Sequence, residues 1–377
     1  MVWYWSTRKA VGSTADDTRT LSLHVLSSAG FGKSYPFQGH DDKSSSDVAT
    51  NYKESLQTIL DHCVLLFVLG TDLISKKWLP KKVQKLHQAV LNFKQYMTEV
   101  YEAEKQAIAD GKPTEKNLMT SLVRASQESD DTSGLTESEI YGNMFVFNFA
   151  GHDTTAHTFA FAVVLLATQS SVQDWLSTEL KHVLGERPIE DWSYTSDFPR
   201  LKRCLAVLME TIRLYTPVPI AKSTGKEART LRVGDKTIVV PGNTLVIPHH
   251  LAVHTHPKYW GSDTLEWKPS RWIESTSNSD SFDEETIMTP RKGSFIAWSE
   301  GLRICPGKKF SQVEFVASMA AVFRDWYVEP LLEEGESLKV ARERVLKLVE
   351  EDTGQVLLLQ MLHPERAPLV WKRRQSQ

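Results

Sequence analysis

Apolar positions recur at helical spacing over most of the chain, so the pattern predicts a mainly helical protein. The predicted helices cover Thr14–Gly32, Tyr52–Cys63, Pro80–Ala109 and Phe198–Tyr215. Lysine, glutamine and glutamate interrupt the apolar positions of Pro80–Ala109, which is typical of a helix with one buried and one solvated face. The positions predicted to be buried in it are Val83, Leu86, Val90, Leu91, Phe93 and Met97.

A longer and more apolar segment, Thr136–Thr168, is predicted to form a central helix. Thr136 and Glu139 fit a capping box, in which each side chain hydrogen-bonds the backbone N–H of the other residue. Roughly 30 residues at 1.5 Å per residue give a length of about 45 Å, enough to cross a domain. Because the segment is apolar on every side, we expect it to be buried centrally.

Short β-branched and apolar runs predict a few strands between the helices. They cover Leu231–Val233, Thr237–Val240 and Thr244–Ile247, and Pro241–Asn243 predicts the turn of a hairpin between the last two. A further strand-like run is Val356–Leu359. Long helices with few short strands predict a mainly α fold with small β-sheets, in the α+β class.

The composition is that of an ordinary globular protein. The 377 residues are 41% hydrophobic with a formal net charge of −3, so the charge gives no reason to expect nucleic acid as a partner. Three cysteines, an odd number in a long chain, indicate a reducing compartment rather than a disulfide framework. Cys63 and Cys204 are predicted core residues. The longest apolar run near the start is Val64–Leu69, far below the roughly 18 residues that span a bilayer.

The third cysteine lies in a different setting. Cys305 belongs to the stretch W-S-E-G-L-R-I-C-P-G from Trp298 to Gly307, and a predicted helix that ends near Trp326 follows at once. Free backbone N–H groups and the positive end of that helix favour a thiolate, and Arg303 adds a positive charge. A thiolate is a soft metal ligand, and haem iron is one of the metals it binds. The alternative is an inert buried cysteine.

The central helix contains one unfavourable turn, A-G-H-D-T-T, from Ala150 to Thr155. Burying Asp153 in an apolar helix costs several kcal/mol unless partners compensate, and Gly151 costs up to about 1 kcal/mol relative to alanine. Unfavourable residues in one turn indicate a site. The alternative is that Thr154 and Thr155 bond to carbonyls one turn earlier while Asp153 finds an ordinary partner.

Two other groups of polar residues are candidates for structural or metal sites. Glu210 and Arg213 lie three positions apart in a helix with little exposed face, where an ion pair needs a third group to satisfy it. Four histidines lie between His249 and His256, but no acid or cysteine completes a set of metal ligands.

The spacing aromatic-x-x-Gly-x-Arg-x-Cys-x-Gly resembles the haem-binding signature of the cytochrome P450 family, the haem-thiolate monooxygenases. Trp298 stands where the family usually has phenylalanine. The resemblance implies haem (heme b, iron protoporphyrin IX) as cofactor, with Cys305 as its axial ligand and Arg303 paired with a propionate. Trp298 would pack beside the sulfur, and Gly307 would let the flat cofactor approach the backbone.

The turn in the central helix resembles the oxygen-binding helix of the same family, small-Gly-x-acid-Thr-Thr. The resemblance implies that Ala150 and Gly151 border a groove for dioxygen over the haem. It also implies that Asp153 and Thr154 are catalytic residues that relay protons.

Two more motifs occur in the family order. Glu210 and Arg213 match its Glu-x-x-Arg, and W-K-P-S-R-W supplies Arg271, with Ser270 where the family usually has an acid. The resemblance implies that these three charged residues are structural and hold the cysteine loop. The side chains that would contact an apolar substrate are Phe145, Phe149, Val218 and Ile220.

The resemblance implies a monooxygenase that inserts one oxygen atom of O2 into a small apolar substrate. Electrons would come from a separate NADPH-cytochrome P450 reductase, because the chain has no glycine-rich dinucleotide fingerprint. The residues after the cysteine resemble fungal microsomal members, which implies the cytosolic face of the endoplasmic reticulum membrane and a role in secondary metabolism. The alternatives are an inactive remnant without stable haem and a haem-thiolate isomerase or dehydratase.

The resemblance describes one domain over residues 1–377, with the cysteine loop and its following helix at about 295–326. No segment matches the membrane anchor, the first sheet strands or the propionate-clamping helix of the family, so we expect an N-terminally truncated P450 fold. The strands around 231–247 are then expected to have an unpaired edge, and haem affinity is expected to fall.

Overall fold

The computed structural model describes residues 1–40, 48–111, 117–127, 134–275 and 282–374. The chain divides into two compact units. Unit 1 holds residues 15–156 and Met1, and unit 2 holds residues 2–14 and 157–377. The assignment of all 377 residues to a single domain stays a prediction.

Helices form most of the described structure, as the apolar periodicity predicts. In chain order they are α1 (Val2–Ser6), α2 (Thr14–Phe31), α3 (Val48–Asp61), α4 (Cys63–Ile74), α5 (Lys81–Ala109), α6 (Leu118–Gln127), α7 (Glu137–Thr168), α8 (Ser170–Leu184), α9 (Lys202–Leu214), α10 (His250–His254), α11 (Pro257–Trp260), α12 (Lys308–Phe323) and α13 (Leu338–Glu351).

The core of unit 1 forms where α3 packs against α5. Tyr52 of α3 stacks on Tyr96 of α5 with 4.2 Å between ring centroids, and both rings are buried. Most of the predicted buried face of α5 is confirmed, but Leu91 is 45% exposed and that prediction is wrong. Leu91 lies off the stripe, whose buried positions recur every three or four residues from Val83 to Tyr101.

Glycines end one helix of unit 1 and bend another. After α2 the chain turns at Gly32, whose φ is +65°, and Gly70 bends α4 with a φ of +69°. Both values lie in the left-handed region, which costs glycine nothing because it has no Cβ. The apolar run Val64–Leu69 therefore forms the first part of α4, and the helix bends directly after the run, at Gly70.

Helix α7 begins with the predicted capping box. Glu139 Oε2 accepts the Thr136 N–H at 2.8 Å, and Thr136 Oγ1 accepts the Glu139 N–H at 3.2 Å. The second half of the helix, from Ala156 to Ala167, is buried on every side as predicted. In the first half that prediction is wrong, since Val146 is 55% exposed and Ala150 is exposed too.

In unit 2, α12 packs against α8 and α9. Glu179 of α8, which is 1% exposed, caps the start of α9 by accepting the N–H groups of Arg203 at 2.7 Å and Cys204 at 3.2 Å. Burial raises the pKa of Glu179 to about 7, although these two N–H groups and the charge of Arg203 lower it. The amino end of α9 thus depends on a side chain from another helix.

The described strands form two-stranded antiparallel pairs. They are β1 (Lys222–Ser223) with β4 (Leu245–Val246), β2 (Arg229–Val233) with β3 (Lys236–Val240), β5 (Ile273–Ser275) with β6 (Glu285–Ile287), β7 (Trp326–Pro330) with β10 (Leu369–Arg373), and β8 (Thr353–Gln355) with β9 (Leu359–Met361).

Two strand predictions are wrong in detail. The hairpin turns at Gly234, whose φ is +59°, between β2 and β3, whereas Pro241–Asn243 leads from β3 into β4. A Cβ on Gly242 would lie 2.2 Å from the Lys226 carbonyl oxygen. The chain at Gly242 therefore packs against the backbone of Lys226 and does not form a hairpin turn. Likewise, Val356–Leu359 is mostly the turn between β8 and β9.

Residues 2–14 pack against the last strand of unit 2. Trp5 is fully buried and stacks on Trp371 of β10 with 4.8 Å between ring centroids. Val11 and Leu369 exchange two backbone hydrogen bonds, of 2.8 and 2.9 Å. Segments at opposite ends of the chain therefore form one piece of core.

Among the described residues, no single helix is both long and apolar enough to cross a membrane. Two bent pairs of successive helices, within residues 52–74 and 137–184, reach that length and composition only when the two helices are added together.

Candidate functional site

The cysteine loop, residues 295–307, folds back on itself in unit 2. The Cys305 N–H donates to the Trp298 carbonyl at 2.9 Å, and the Ile304 N–H donates to the Gly301 carbonyl at 3.0 Å. The reversal requires left-handed backbone at Ser299, with a φ of +66°, and at Gly301, with a φ of +74°. Ser299 is the strained position, because only glycine adopts such angles without cost.

The sulfur of Cys305 lies at the amino end of α12, as the sequence predicts. Gly307 precedes the helix, and the Ser311 N–H closes the first turn on the Gly307 carbonyl at 2.8 Å. A Cβ added at Gly307 would lie 3.8 Å from the sulfur, so the thiol sits beside the first helical residues. The positive end of the helix dipole favours a negative charge at this position.

Exposure separates Cys305 from the other two cysteines. Cys305 is exposed, whereas Cys63 and Cys204 are buried as predicted. Burial raises the pKa of the Cys63 thiol, and it raises that of Cys204 well above the ordinary value. Of the three thiols, Cys305 is the one that an external metal can reach.

The surroundings of the sulfur fit haem. Leu302 is fully exposed and Ile304 is 46% exposed, so apolar side chains stand uncovered beside a soft sulfur ligand. Arg303 is exposed between them and can pair with a carboxylate. An apolar ring system with acidic edges and a central iron matches this set of groups.

Trp298 is anchored to α12. Its indole N–H donates to Ser311 Oγ at 3.1 Å, and the Lys308 ammonium lies 5.5 Å from its ring centroid. Its carbonyl meanwhile accepts the Cys305 N–H. The tryptophan therefore joins the loop before the cysteine to the helix after it.

Two residues outside the predicted set also hold the cysteine loop. Lys222 of β1 donates to Ser299 Oγ and, at 3.0 Å, to the Glu300 carbonyl. The imidazole of His254 accepts the Ile296 N–H at 2.9 Å. No local pattern marks either residue, because each contact joins positions more than 40 residues apart in sequence.

The structure brings Glu210, Arg213 and Arg271 together in the core of unit 2. Arg213 donates from Nε and Nη2 to the two Glu210 oxygens at 2.8 and 2.9 Å, and Arg271 Nε donates to Glu210 Oε1 at 2.8 Å. The side chains of Glu210 and Arg213 are both 0% exposed. The backbone N–H of Lys268 and the indole of Trp272 add two donors to Glu210.

Asp263 completes the charge balance of this cluster. It accepts from Arg271 Nη1 at 3.1 Å and from Lys268 Nζ at 3.0 Å. These hydrogen bonds lower the pKa of Asp263 to about 2. The buried cations are thus matched by two carboxylates, which is what a buried ion cluster requires to be stable.

The acid–threonine turn lies in unit 1. Asp153 is buried, and its Oδ1 accepts Arg19 Nε of α2 at 2.9 Å. Thr154 Oγ1 donates to the Ala150 carbonyl at 2.9 Å, and Thr155 Oγ1 to the Gly151 carbonyl at 3.4 Å. The bonds proposed as the structural alternative are therefore present, and Arg19 is a partner of Asp153 that the sequence does not reveal.

Gly151 has a packing role in unit 1. A Cβ at this position would lie 3.2 Å from Leu26 Cδ2 of α2, closer than ordinary contact. Glycine therefore allows α2 and α7 to approach each other beside Asp153. The same helix pair carries the Arg19–Asp153 ion pair, so close approach and charge pairing occur together.

The predicted substrate residues divide between the two units. Phe145 and Phe149 stack in unit 1 with 5.6 Å between ring centroids, and both are partly buried. In unit 2, Ile220 is 9% exposed and Val218 is 41% exposed. Two of the four side chains thus belong to one aromatic cluster.

The histidines between 249 and 256 have structural contacts. His249 Nδ1 accepts the Ala252 N–H and His256 Nδ1 accepts the Lys258 N–H, each at 3.1 Å. In the part of the chain that the structure describes, no group of three or more histidine, cysteine, aspartate or glutamate side chains is arranged to hold a metal ion.

Comparisons with known proteins agree with the geometry. The sequence model of the cytochrome P450 family matches residues 5–356. The chain is 29% identical to cytochrome P450 monooxygenase 124 of Postia placenta, over 99% of this chain and 68% of that protein. It is also 29% identical to a phomenoic acid biosynthesis cluster cytochrome P450 monooxygenase of Leptosphaeria maculans, over 86% of this chain and 59% of that protein.

Solved structures show the same fold. A crystal structure of a cytochrome P450 superposes with a TM-score of 0.67 at 21% identity, covering 99% of this chain and 72% of that one. The P450DA heme domain gives a TM-score of 0.68 at 18% identity, covering 99% and 71%. The mainly α fold with small antiparallel sheets is thereby confirmed. Because the family match extends over most of the sequence, the chain belongs to the cytochrome P450 family, whose members bind haem through a cysteine thiolate.

Proposed function

We propose that the chain is a haem-thiolate monooxygenase that inserts one oxygen atom of O2 into a small apolar substrate. The observation that carries the proposal is the exposed thiol of Cys305 at the amino end of α12, beside the uncovered side chains of Leu302 and Ile304. Haem, when bound there, supplies the activation of O2. Relatives that are themselves named monooxygenases support this reaction class.

Each residue of the cysteine loop would then have one task. The Cys305 thiolate binds the iron, and the amino end of α12 stabilises its negative charge. Arg303 pairs with a propionate, while Gly307 leaves room for the cofactor beside the sulfur. Trp298 keeps the loop and α12 together through its bonds to Cys305 and Ser311.

Asp153 and Thr154 would handle protons. The Nε–H group of Arg19 occupies Asp153 Oδ1 at 2.9 Å. To pass a proton toward Thr154, Asp153 must first exchange Arg19 for a proton donor. Arg19 also lines a polar cavity of about 490 Å³ in unit 1, together with Asp16, His40 and His152, and this cavity can supply water to the pair.

The reduced, carbon monoxide-bound spectrum of the purified full chain tests the ligand. Wild-type protein should show the Soret band of thiolate-ligated haem, and Cys305→Ser should lose it. Cys63→Ser, which removes a sulfur from unit 1, should retain the band. If both variants kept the band, or both lost it, the assignment of Cys305 would be contradicted. If the wild type bound no haem, the result would favour the inactive remnant.

Turnover assays test the reaction class. A monooxygenase consumes O2 and NADPH in the presence of a reductase and an apolar substrate, whereas an isomerase or dehydratase works without either. Apolar compounds of fungal secondary metabolism are the substrates to test first, since a similar protein is named for a biosynthetic cluster. Product formation without O2 would exclude the proposal.

The same proposal places the protein on the cytosolic face of the endoplasmic reticulum membrane. One apolar surface of unit 1 is uncovered, since Phe67 is 68%, Val68 75% and Trp78 76% exposed. Exposed lysines lie next to it at positions 76, 77, 81 and 82. Apolar side chains beside lysines suit a membrane that contains anionic lipid.

Vesicles that contain phosphatidylserine test this surface. Phe67→Ser should weaken cosedimentation of the full chain with the vesicles, because it replaces an aromatic ring that is 68% exposed with a small polar side chain. Leu265→Ser changes a residue of unit 2 that is 76% exposed and should leave cosedimentation unchanged. Equal losses in the two variants would show that this surface has no special part in membrane binding.

A further inference from the structure

His254 lies between the buried ion cluster and the cysteine loop. Its side chain is 0% exposed at the end of α10. Nε2 accepts the Ile296 N–H at 2.9 Å. On the other side of the ring, Nδ1 lies 3.1 Å from the Arg213 carbonyl oxygen and 3.2 Å from Thr216 Oγ1.

These partners permit one tautomer. A backbone N–H can only donate, so Nε2 must carry the lone pair that faces Ile296. A carbonyl can only accept, so Nδ1 must carry the proton that faces Arg213. Thr216 Oγ1 gives its own hydrogen to the Ile212 carbonyl at 2.6 Å and is therefore an acceptor for Nδ1 as well. Burial lowers the pKa of His254 to about 4, which keeps the ring neutral.

The ring is held firmly from the side of α9. Arg213 Nη1 donates to the His254 carbonyl at 2.7 Å, so the two residues bond each other through backbone and side chain. Arg213 is in turn fixed by both oxygens of Glu210. The Phe295 ring packs on the imidazole with 5.1 Å between centroids.

The amide that His254 holds is the start of a short path to the sulfur. The Ile296 carbonyl accepts the Ser299 N–H at 2.8 Å, which forms the turn before the cysteine. One residue earlier, the Trp298 carbonyl accepts the Cys305 N–H at 2.9 Å. Displacement of Ile296 would therefore displace the backbone that fixes Cys305.

We propose that His254 is a positioning residue for the cysteine loop, which it connects to the Glu210–Arg213 ion pair through the Ile296 N–H···Nε2 hydrogen bond. The proposal rests on the proposed function only in treating Cys305 as the haem ligand. The hydrogen bond itself can be tested whether or not haem is bound.

Two amide substitutions separate the bonds of the ring. His254→Gln places an amide oxygen near the position of Nε2 and can still accept the Ile296 N–H. His254→Asn places an amide nitrogen near the position of Nδ1, so it can still donate to the Arg213 carbonyl but cannot reach Ile296. Both variants bury an uncharged amide. If His254 only filled the core, the two variants would not differ in their effect on the Ile296 N–H.

Hydrogen–deuterium exchange of the full chain, resolved to single amides by fragmentation, measures the bond. The Ile296 amide should exchange about fivefold faster in His254→Asn than in the wild type, the effect of losing one net hydrogen bond. In His254→Gln it should stay within about twofold of the wild type. Equal exchange in the two variants, or no change in His254→Asn, would overturn the proposal.

The wild-type chain provides a second measurement that needs no variant to fold. The Ile296 amide should be protected from exchange although it lies in a loop, and an unprotected amide would show that the bond to His254 does not form. In the carbon monoxide spectrum, His254→Asn should lose a larger fraction of the thiolate band than His254→Gln. If the wild type lacks this band, the proposed function fails while the exchange result still decides the role of His254.

Discussion

Replacing Glu210 with glutamine should destabilise unit 2 more than any comparable change at the surface. The carboxylate receives five hydrogen bonds of 2.8 to 2.9 Å, from Arg213 Nε and Nη2, Arg271 Nε, the Lys268 N–H and the Trp272 indole. An amide keeps one acceptor oxygen, and its NH2 group faces at least two of these donors. The substitution also leaves the fully buried Arg213 without its counter-ion.

The size of the effect follows from this geometry. Breaking a buried ion pair by removing one charge typically costs about 3 to 5 kcal/mol, because the remaining charge stays buried without compensation. With a urea dependence of about 2 kcal/mol per M, the unfolding midpoint should fall by roughly 2 M. Tryptophan fluorescence is a suitable signal, since Trp272 bonds Glu210 directly and Trp260 lies 5.1 Å from the Arg213 guanidinium.

Glu343→Gln is the matched control. Glu343 lies 4.0 Å from Lys339, with side chains 65% and 87% exposed, so its loss should cost under about 1 kcal/mol. The chemical change is the same and only the burial differs. If Glu210→Gln lowered the urea unfolding midpoint no further than Glu343→Gln, the ion cluster around Glu210 could not be a major source of stability for unit 2.

Three further predictions concern other parts of the chain. Burial raises the pKa of Glu179 to about 7, so from pH 4.5 to 7 the folded chain holds a proton that the unfolded chain has released. The free energy of unfolding should therefore fall by up to about 3 kcal/mol as pH rises through this window. Urea titrations of Glu179→Gln should no longer show this fall. Gly242→Ala should destabilise unit 2 in thermal unfolding, because the new Cβ would lie 2.2 Å from a backbone oxygen, and a variant as stable as the wild type would refute this contact. Gly142→Ala, in a helix with no atom within 4 Å of the new Cβ, should instead stabilise the chain by up to about 1 kcal/mol. Arg19→Met and Asp153→Asn should be non-additive by about 1 to 3 kcal/mol in a double-mutant cycle of thermal unfolding, and additive effects would mean that their ion pair contributes nothing.

The sequence predicts those features that depend on short stretches of chain. The capping box at Thr136, the end of α2 near Gly32 and the position of Cys305 before α12 each follow from residues within a few positions of one another. The spacing of glycine and cysteine around Cys305 also indicates the protein family, because the residues of this motif lie in one loop. Local pattern and local structure coincide in all of these.

Features that depend on partners far away in sequence could not be predicted. Arg19 and Asp153 are 134 positions apart, and His254 and Ile296 are 42 positions apart, so no periodicity connects them. The predicted hairpin is wrong for a related reason: Pro241–Asn243 has turn residues, but the partner of β4 is β1, more than 20 residues before it. Side-chain contacts across the fold decide which of several plausible local structures forms.

The pairing of residues 2–14 with β10 has a consequence for synthesis on the ribosome. Trp5 and Val11 are synthesised more than 350 residues before their partners Trp371 and Leu369. Residues 15–156 can therefore collapse into their own unit during translation, while residues 2–14 remain without these partners until β10 leaves the exit tunnel. A chain that stalls before position 369 would leave the Trp5 indole without the Trp371 ring on which it stacks in the folded protein.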